Sequence, residues 1–161
     1  MKGVQIITGA LCDSVAERAA SVPRRRINHN FHRTMEDNPH RFLNVLLKGT
    51  YIQPHRHIDP PKSETFLVLE GEAVVLIFDD DGQVTERHVL GRTSEAGRVW
   101  GVDLAPGVWH TIAALSDRVV CFEVKPGPWQ AASDKDFAPW APKEGDAAAE
   151  AYLVKLVGQL A

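Results

Sequence analysis

Cysteine is scarce in this sequence: 161 residues carry only Cys12 and Cys121, far apart and without CxxC spacing. A disulfide-stapled scaffold is thereby excluded, and the expectation is two buried, reduced thiols. A basic excess is also missing. The formal net charge is −3, which argues against broad binding to nucleic-acid phosphates. No apolar run approaches the roughly 18 residues that would cross a membrane as a helix. The opening segment Gly3–Cys12 makes a poor export signal. It has one basic residue, Lys2, an apolar stretch broken by Gln5, and Leu11 where a small residue should precede the cysteine. The expectation is a cytoplasmic protein with neither nucleic acid nor membrane as partner. Internal repeats and low-complexity tracts are absent as well.

What is present is an ordinary globular composition, 44% hydrophobic and 24% charged, in a length that suits one domain with a core of its own. Residues 1–161 are expected to form that domain in three regions. Residues 1–40 begin with a helix near Ala10–Ser21, capped by Thr8, with Leu11, Val15, Ala19 and Val22 at helical spacing and Pro23 as its stop. A period-two stretch from Arg24 to His32 follows. There Asn28, Asn30 and His32 share one strand face, and Ile27, His29 and Phe31 the other. Residues 41–125 read as short strands between turn residues: Phe42–Leu47, Tyr51–His57, Glu64–Leu69, Glu72–Phe78, Val84–Leu90, Val99–Leu104, His110–Ala114 and Arg118–Lys125. Asp80-Asp81-Gly82 marks a hairpin, because Asp and Gly tolerate the backbone angles of a tight turn. Many short strands with no long helix between them predict an all-β sandwich or barrel. Residues 126–161 hold a Pro/Trp/Asp-rich wrap, then a helix capped by Asp146 with Tyr152, Leu153, Leu156, Val157 and Leu160 on its apolar stripe.

The segment that carries chemistry is Gly49-Thr-Tyr-Ile-Gln-Pro-His55-Arg-His57. Residues two apart on a strand project from one face, with α-carbons roughly 6.6 Å apart, so two imidazoles can reach one ion at about 2.0–2.2 Å. Tyr51 and Gln53 fall on the same face and would line the approach, with Arg56 turned away. Glu64 opens the next strand, and His110 starts a distant one after Pro106-Gly107-Val108-Trp109. A barrel interior can gather ligands from such separated strands. Three imidazoles and a carboxylate suit a divalent transition metal (Fe, Mn, Ni, Co or Zn) and leave octahedral positions open for a ligand.

The spacing Gly49-x5-His55-x-His57-x6-Glu64-x6-Gly71 resembles the first motif of the cupin superfamily, and Gly101-x4-Pro106-Gly107-x2-His110 resembles the second. The resemblance implies a double-stranded β-helix, or jelly roll, with short N-terminal and C-terminal helices and all four ligands inside. The stretch from His57 to Glu64 is longer than the usual motif by about two or three residues, which leaves Asp59 as the alternative acidic ligand, and Ala114 stands where an Asn often follows. A narrower resemblance, to the WbuC family of cupin-fold metalloproteins, covers nearly the whole chain. It is carried by Arg24 to His32, Pro54-His-Arg-His57, Pro61-Lys-Ser-Glu64, Phe78-Asp-Asp-Asp-Gly82, Lys125-Pro-Gly-Pro-Trp129 and Asp134-Lys-Asp-Phe-Ala-Pro-Trp-Ala-Pro142. That family is associated with bacterial surface-polysaccharide gene clusters and has no established reaction. Because many cupins pair their sheets, the resemblance also implies a homodimer.

Asn28, Asn30 and His32 either wall the cavity for a hydroxyl-rich ligand or form an exposed strand face. Arg24, Arg25 and Arg26 read as a solvated charge run, with an anion clamp as the alternative. Lys62 and Arg56 either reach an anionic ligand or face solvent. Trp100, Trp109, Trp129 and Trp140 suit core and wrap packing better than stacking on a sugar. Three functions fit: a metal-dependent enzyme of small-molecule metabolism, acting on a sugar or sugar derivative; a non-haem iron dioxygenase; and a non-catalytic module that grips a saccharide or acid through the metal. In each the partner is a small molecule, sugar-like in the first reading and a saccharide or acid in the third. With no DNA-binding segment visible in the chain, a one-chain transcriptional sensor is disfavoured.

Overall fold

The computed structural model describes residues 3–93 and 97–158. Its elements run, in chain order, α1 (Gly9–Ala20), β1 (Arg26–Asn30), β2 (His40–Leu47), β3 (His55–Arg56), β4 (Glu64–Glu70), β5 (Glu72–Phe78), β6 (Val84–Gly91), β7 (Arg98–Val99), β8 (Gly101–Leu104), β9 (Trp109–Ala114), β10 (Arg118–Lys125), β11 (Asp136–Phe137) and α2 (Ala149–Gly158). The strands form two sheets, one in the order β1-β2-β10-β4-β8 and one in the order β11-β3-β9-β5-β6-β7. All pairings are antiparallel except β6 with β7. This is the jelly roll with terminal helices that the motifs implied.

Alternation along the central strands explains the layers. On β5, Ala73 and Val75 point into the space between the sheets, where they meet Leu46, Val68, Val119 and Cys121 of the facing sheet. The intervening Val74, Leu76 and Phe78 point outward and are covered by α2 and the C-terminal wrap through Leu153, Leu156 and Trp140. Across the other sheet, Leu43, Val45 and Val120 are covered by Val15 and Ala19 of α1. Strands buried on both faces read as continuous β-branched and aliphatic runs, and each terminal helix is present because it covers an otherwise wet apolar face.

Local signals explain the boundaries. Thr8 caps α1, its hydroxyl oxygen accepting the Leu11 N–H at 3.2 Å. The β5–β6 hairpin turns at Gly82, whose φ of +80° favours glycine, while the Asp79 carboxylate accepts the Asp81 and Gln83 amides at 3.0 and 2.8 Å. A Cβ on Gly82 would stand 2.6 Å from the Trp140 ring.

Two expected strands are corrected. Tyr51–His57 shrinks to His55–Arg56, because Pro54 lacks an amide donor and the backbone before it is irregular. Val99–Leu104 is two strands, β7 in one sheet and β8 in the other, and the chain changes sheets at Trp100. The expected apolar stripe of α2 includes Leu160, which lies outside the described residues. Among the described residues no helix is long and apolar enough to cross a membrane.

Candidate metal centre

His55 lies directly opposite His110 across the β3–β9 pairing, so two ligands come from the sheet that also holds β5. His57 follows β3 by one residue. The turn before β9 is tied to it, since Gly107, at φ +84°, donates its N–H to the His57 carbonyl at 3.0 Å. Glu64 comes from the facing sheet as the first residue of β4. The extra residues between His57 and Glu64 fold back on themselves through an Ile58–Pro61 bridge, so the longer interval still delivers Glu64 to the interior. Asp59, the alternative acid, is exposed at the tip of this turn.

The four side chains are buried, and each offers one ligand atom within 4.8 Å of the others. Their protonation is set by the backbone. His55, His57 and His110 direct Nδ1 at the carbonyls of Gln53, Asp134 and Val108 respectively. A carbonyl accepts only, so each Nδ1 carries a proton, and in the neutral ring Nε2 is then the atom whose lone pair faces the centre. His110 Nε2 lies 3.0 Å from Glu64 Oε2, and His57 Nε2 lies 3.4 Å from Oε1. His57 Nε2 is buried with no hydrogen-bond partner. Three inward-facing imidazole nitrogens and a carboxylate make a donor set that fits a divalent transition metal.

The electrostatics agree with ligand states. Burial alone would raise Glu64, but the ammonium of Lys125, with His110 and His57 beside it, outweighs it and holds the carboxyl well below the usual range. Burial, reinforced by Lys135, holds His55 well below the ordinary imidazole value, so it is neutral.

A cavity of about 890 Å³ opens onto this cluster. Of the residues expected to line it, Asn28, Asn30, His32 and Gln53 do so. Tyr51 does not: its ring packs edge-on to Tyr152 and its hydroxyl donates to the Pro142 carbonyl at 2.7 Å. The irregular backbone before Pro54 breaks the alternation that would have placed it beside Gln53. Arg26 also departs from the expected solvated run. It is buried, donates to the Tyr51 carbonyl and pairs with Glu144 at 2.5 Å. Neither Lys62 nor Arg56 lines the cavity. Lys62 is buried against Asp134 at 3.0 Å, and Arg56 pairs with Asp136 at 2.8 Å while lying over Trp109. Trp109 and Trp140 pack in the outer core, Trp129 reaches the cavity rim, and Trp100 is exposed. Both cysteines are buried and free.

Sequence reasoning missed a charged network beneath the cluster. Lys125 Nζ lies 3.3 Å from Glu64 Oε1 and 3.1 Å from Asp134 Oδ2, and Asp134 also takes Lys62. Glu123 accepts from Asn44 Nδ2 at 2.9 Å. Burial, and after it the nearby Glu64 charge, raise Glu123 well above the usual carboxylate range. Lys135 lines the cavity too, and burial lowers its ammonium. One signal was available: Cys121, Glu123 and Lys125 alternate on β10, so two charges share the inward face of an apolar strand.

Two facing antiparallel sheets with a His/His/Glu/His cluster between them define a cupin-type jelly roll. The sequence matches, over residues 7–90, the family described as a domain of unknown function, DUF6016, and the chain belongs to that family. No curated protein matches it. Among solved structures, the protein SO0799 from Shewanella oneidensis is similar with a TM-score of 0.54 at 14% identity, over 68% of this chain and 72% of that one. The capsular polysaccharide assembling protein CapF from Staphylococcus aureus is similar with a TM-score of 0.54 at 20% identity, over 70% of this chain. This chain spans only 31% of CapF. A structure of CapF with the inhibitor 3-isopropenyl-tropolone gives a TM-score of 0.56 at 22% identity, over 72% of this chain and 32% of that one. At such identities these likenesses concern the fold.

Proposed function

We propose that this chain is a divalent-metal-binding protein of small-molecule metabolism whose ligand is a sugar or sugar derivative held in the cavity over His55, His57, Glu64 and His110. The observation that carries the metal is the common orientation of the three imidazoles, each with Nδ1 committed to a backbone carbonyl and Nε2 turned inward. A bound divalent ion would supply Lewis acidity toward a carbonyl or hydroxyl of the ligand. The protein's own groups would position that ligand. Asn28 and Asn30 offer amides along one wall, and His32 offers a nitrogen that can give or take a proton. The WbuC-like motifs favour a role in building surface polysaccharide in the cytoplasm; CapF, a capsular polysaccharide assembling protein by its description, contributes likeness of fold.

The test is elemental analysis of protein purified without added metal, beside the double variant His55→Ala, His57→Ala. The expected result is about one transition-metal ion per chain, lost in the variant. Full metal retention by the variant, with its fold intact by circular dichroism, would sink the assignment.

A further inference from the structure

Most buried cations around the cavity are already neutralised. Lys62 and Lys125 share Asp134, Lys125 also faces Glu64, and Arg26 pairs with Glu144. Lys135 differs. It lines the same cavity as His55 and Glu64, and among the described residues no carboxylate pairs with it and no acceptor takes its protons. The same wall carries the exposed amides of Asn28 and Asn30, so it suits a guest that brings both an anionic group and hydroxyls.

We infer that the ligand of this cavity is an anionic, hydroxylated small molecule, a sugar acid or sugar phosphate, with its charged group on Lys135 and its hydroxyls toward the amides of Asn28 and Asn30. The inference rests on the reading of the site as one that holds a metal and a sugar-like ligand, and it adds the charge of that ligand and the residue that selects it. Lys135 is a specificity residue in this arrangement, since the ion is held without it.

Isothermal titration with D-galacturonate, D-galactose 1-phosphate and neutral D-galactose tests it, on wild type, Lys135→Met and Lys135→Arg, each with and without Zn²⁺. Wild type should bind at least one of the anionic probes about tenfold or more tighter than galactose. Lys135→Met should lose that preference while still binding galactose and Zn²⁺, and Lys135→Arg should restore most of it. Preference for one anion alone identifies whether carboxylate or phosphate is the native group. Equal affinity for charged and neutral probes, no binding of either anion, or a preference that survives Lys135→Met overturns the inference. A chain that takes up no Zn²⁺ overturns the metal reading instead, because the charge preference is also measured without the ion.

Discussion

Lys125→Met isolates the electrostatic frame beneath the metal cluster. The substitution keeps most of the aliphatic stem, so little cavity opens, but it removes the ammonium that lies 3.1 Å from Asp134 and 3.3 Å from Glu64. Breaking a buried pair by deleting one partner costs ~3–5 kcal/mol. Asp134 keeps Lys62 at 3.0 Å, which puts the metal-free loss near the lower end, ~3 kcal/mol. With a divalent ion on the cluster, Glu64 faces a second cation. The loss then falls to that of a charge-assisted hydrogen bond at Asp134, ~1.5 kcal/mol. By linkage the same difference appears as metal binding about tenfold tighter in the variant. Urea unfolding of both proteins, with EDTA and with saturating Zn²⁺, reads both numbers. A metal-free loss under ~1 kcal/mol, or an equal loss with and without the ion, would refute the reasoning.

Glu123→Gln probes the raised carboxyl. Its folded form keeps a proton that the unfolded chain gives up, so it favours folding at low pH, and stability falls as pH rises from the ordinary glutamate range toward Glu123's own value. The amide variant should flatten the stability–pH curve across that window in urea melts; a slope as steep as wild type's contradicts the assignment. Gly82→Ala places a Cβ at positive φ and against the Trp140 ring, with an expected loss of ~1–3 kcal/mol by thermal denaturation. Thr8→Ala removes the cap of α1 and should cost ~1 kcal/mol, read as earlier exchange of the Leu11 amide.

Residues whose role depends on local spacing were legible in the sequence. The His-x-His pair, the Pro-Gly turn before His110 and the Asp-Asp-Gly hairpin each state their geometry within a few residues, whereas the choice of Glu64 over Asp59 is made by the fold that gathers His55, His57, Glu64 and His110. Tyr51 illustrates the limit. Period-two counting assumes an unbroken strand, and Pro54 interrupts it. Arg26, Lys125 and Asp134 illustrate another, because a charged residue reads as solvated until its partner is known, and those partners lie 118, 61 and 72 residues away in Glu144, Glu64 and Lys62. Trp100 marks a third: the residue at which the chain changes sheets depends on the neighbouring strand β4, distant in sequence, whose Val68 amide donates to the Trp100 carbonyl.

Asp134 sits in the wrap, yet its carbonyl orients His57 and its carboxylate holds Lys62 and Lys125. Three residues on, Phe137 pairs with His55, and Ala138 donates to the Pro54 carbonyl. His57 is therefore left without its orienting carbonyl during synthesis until the wrap has emerged and docked. The centre is thus finished by the wrap: an emerging chain carries all four ligand residues before His57 has its orienting partner.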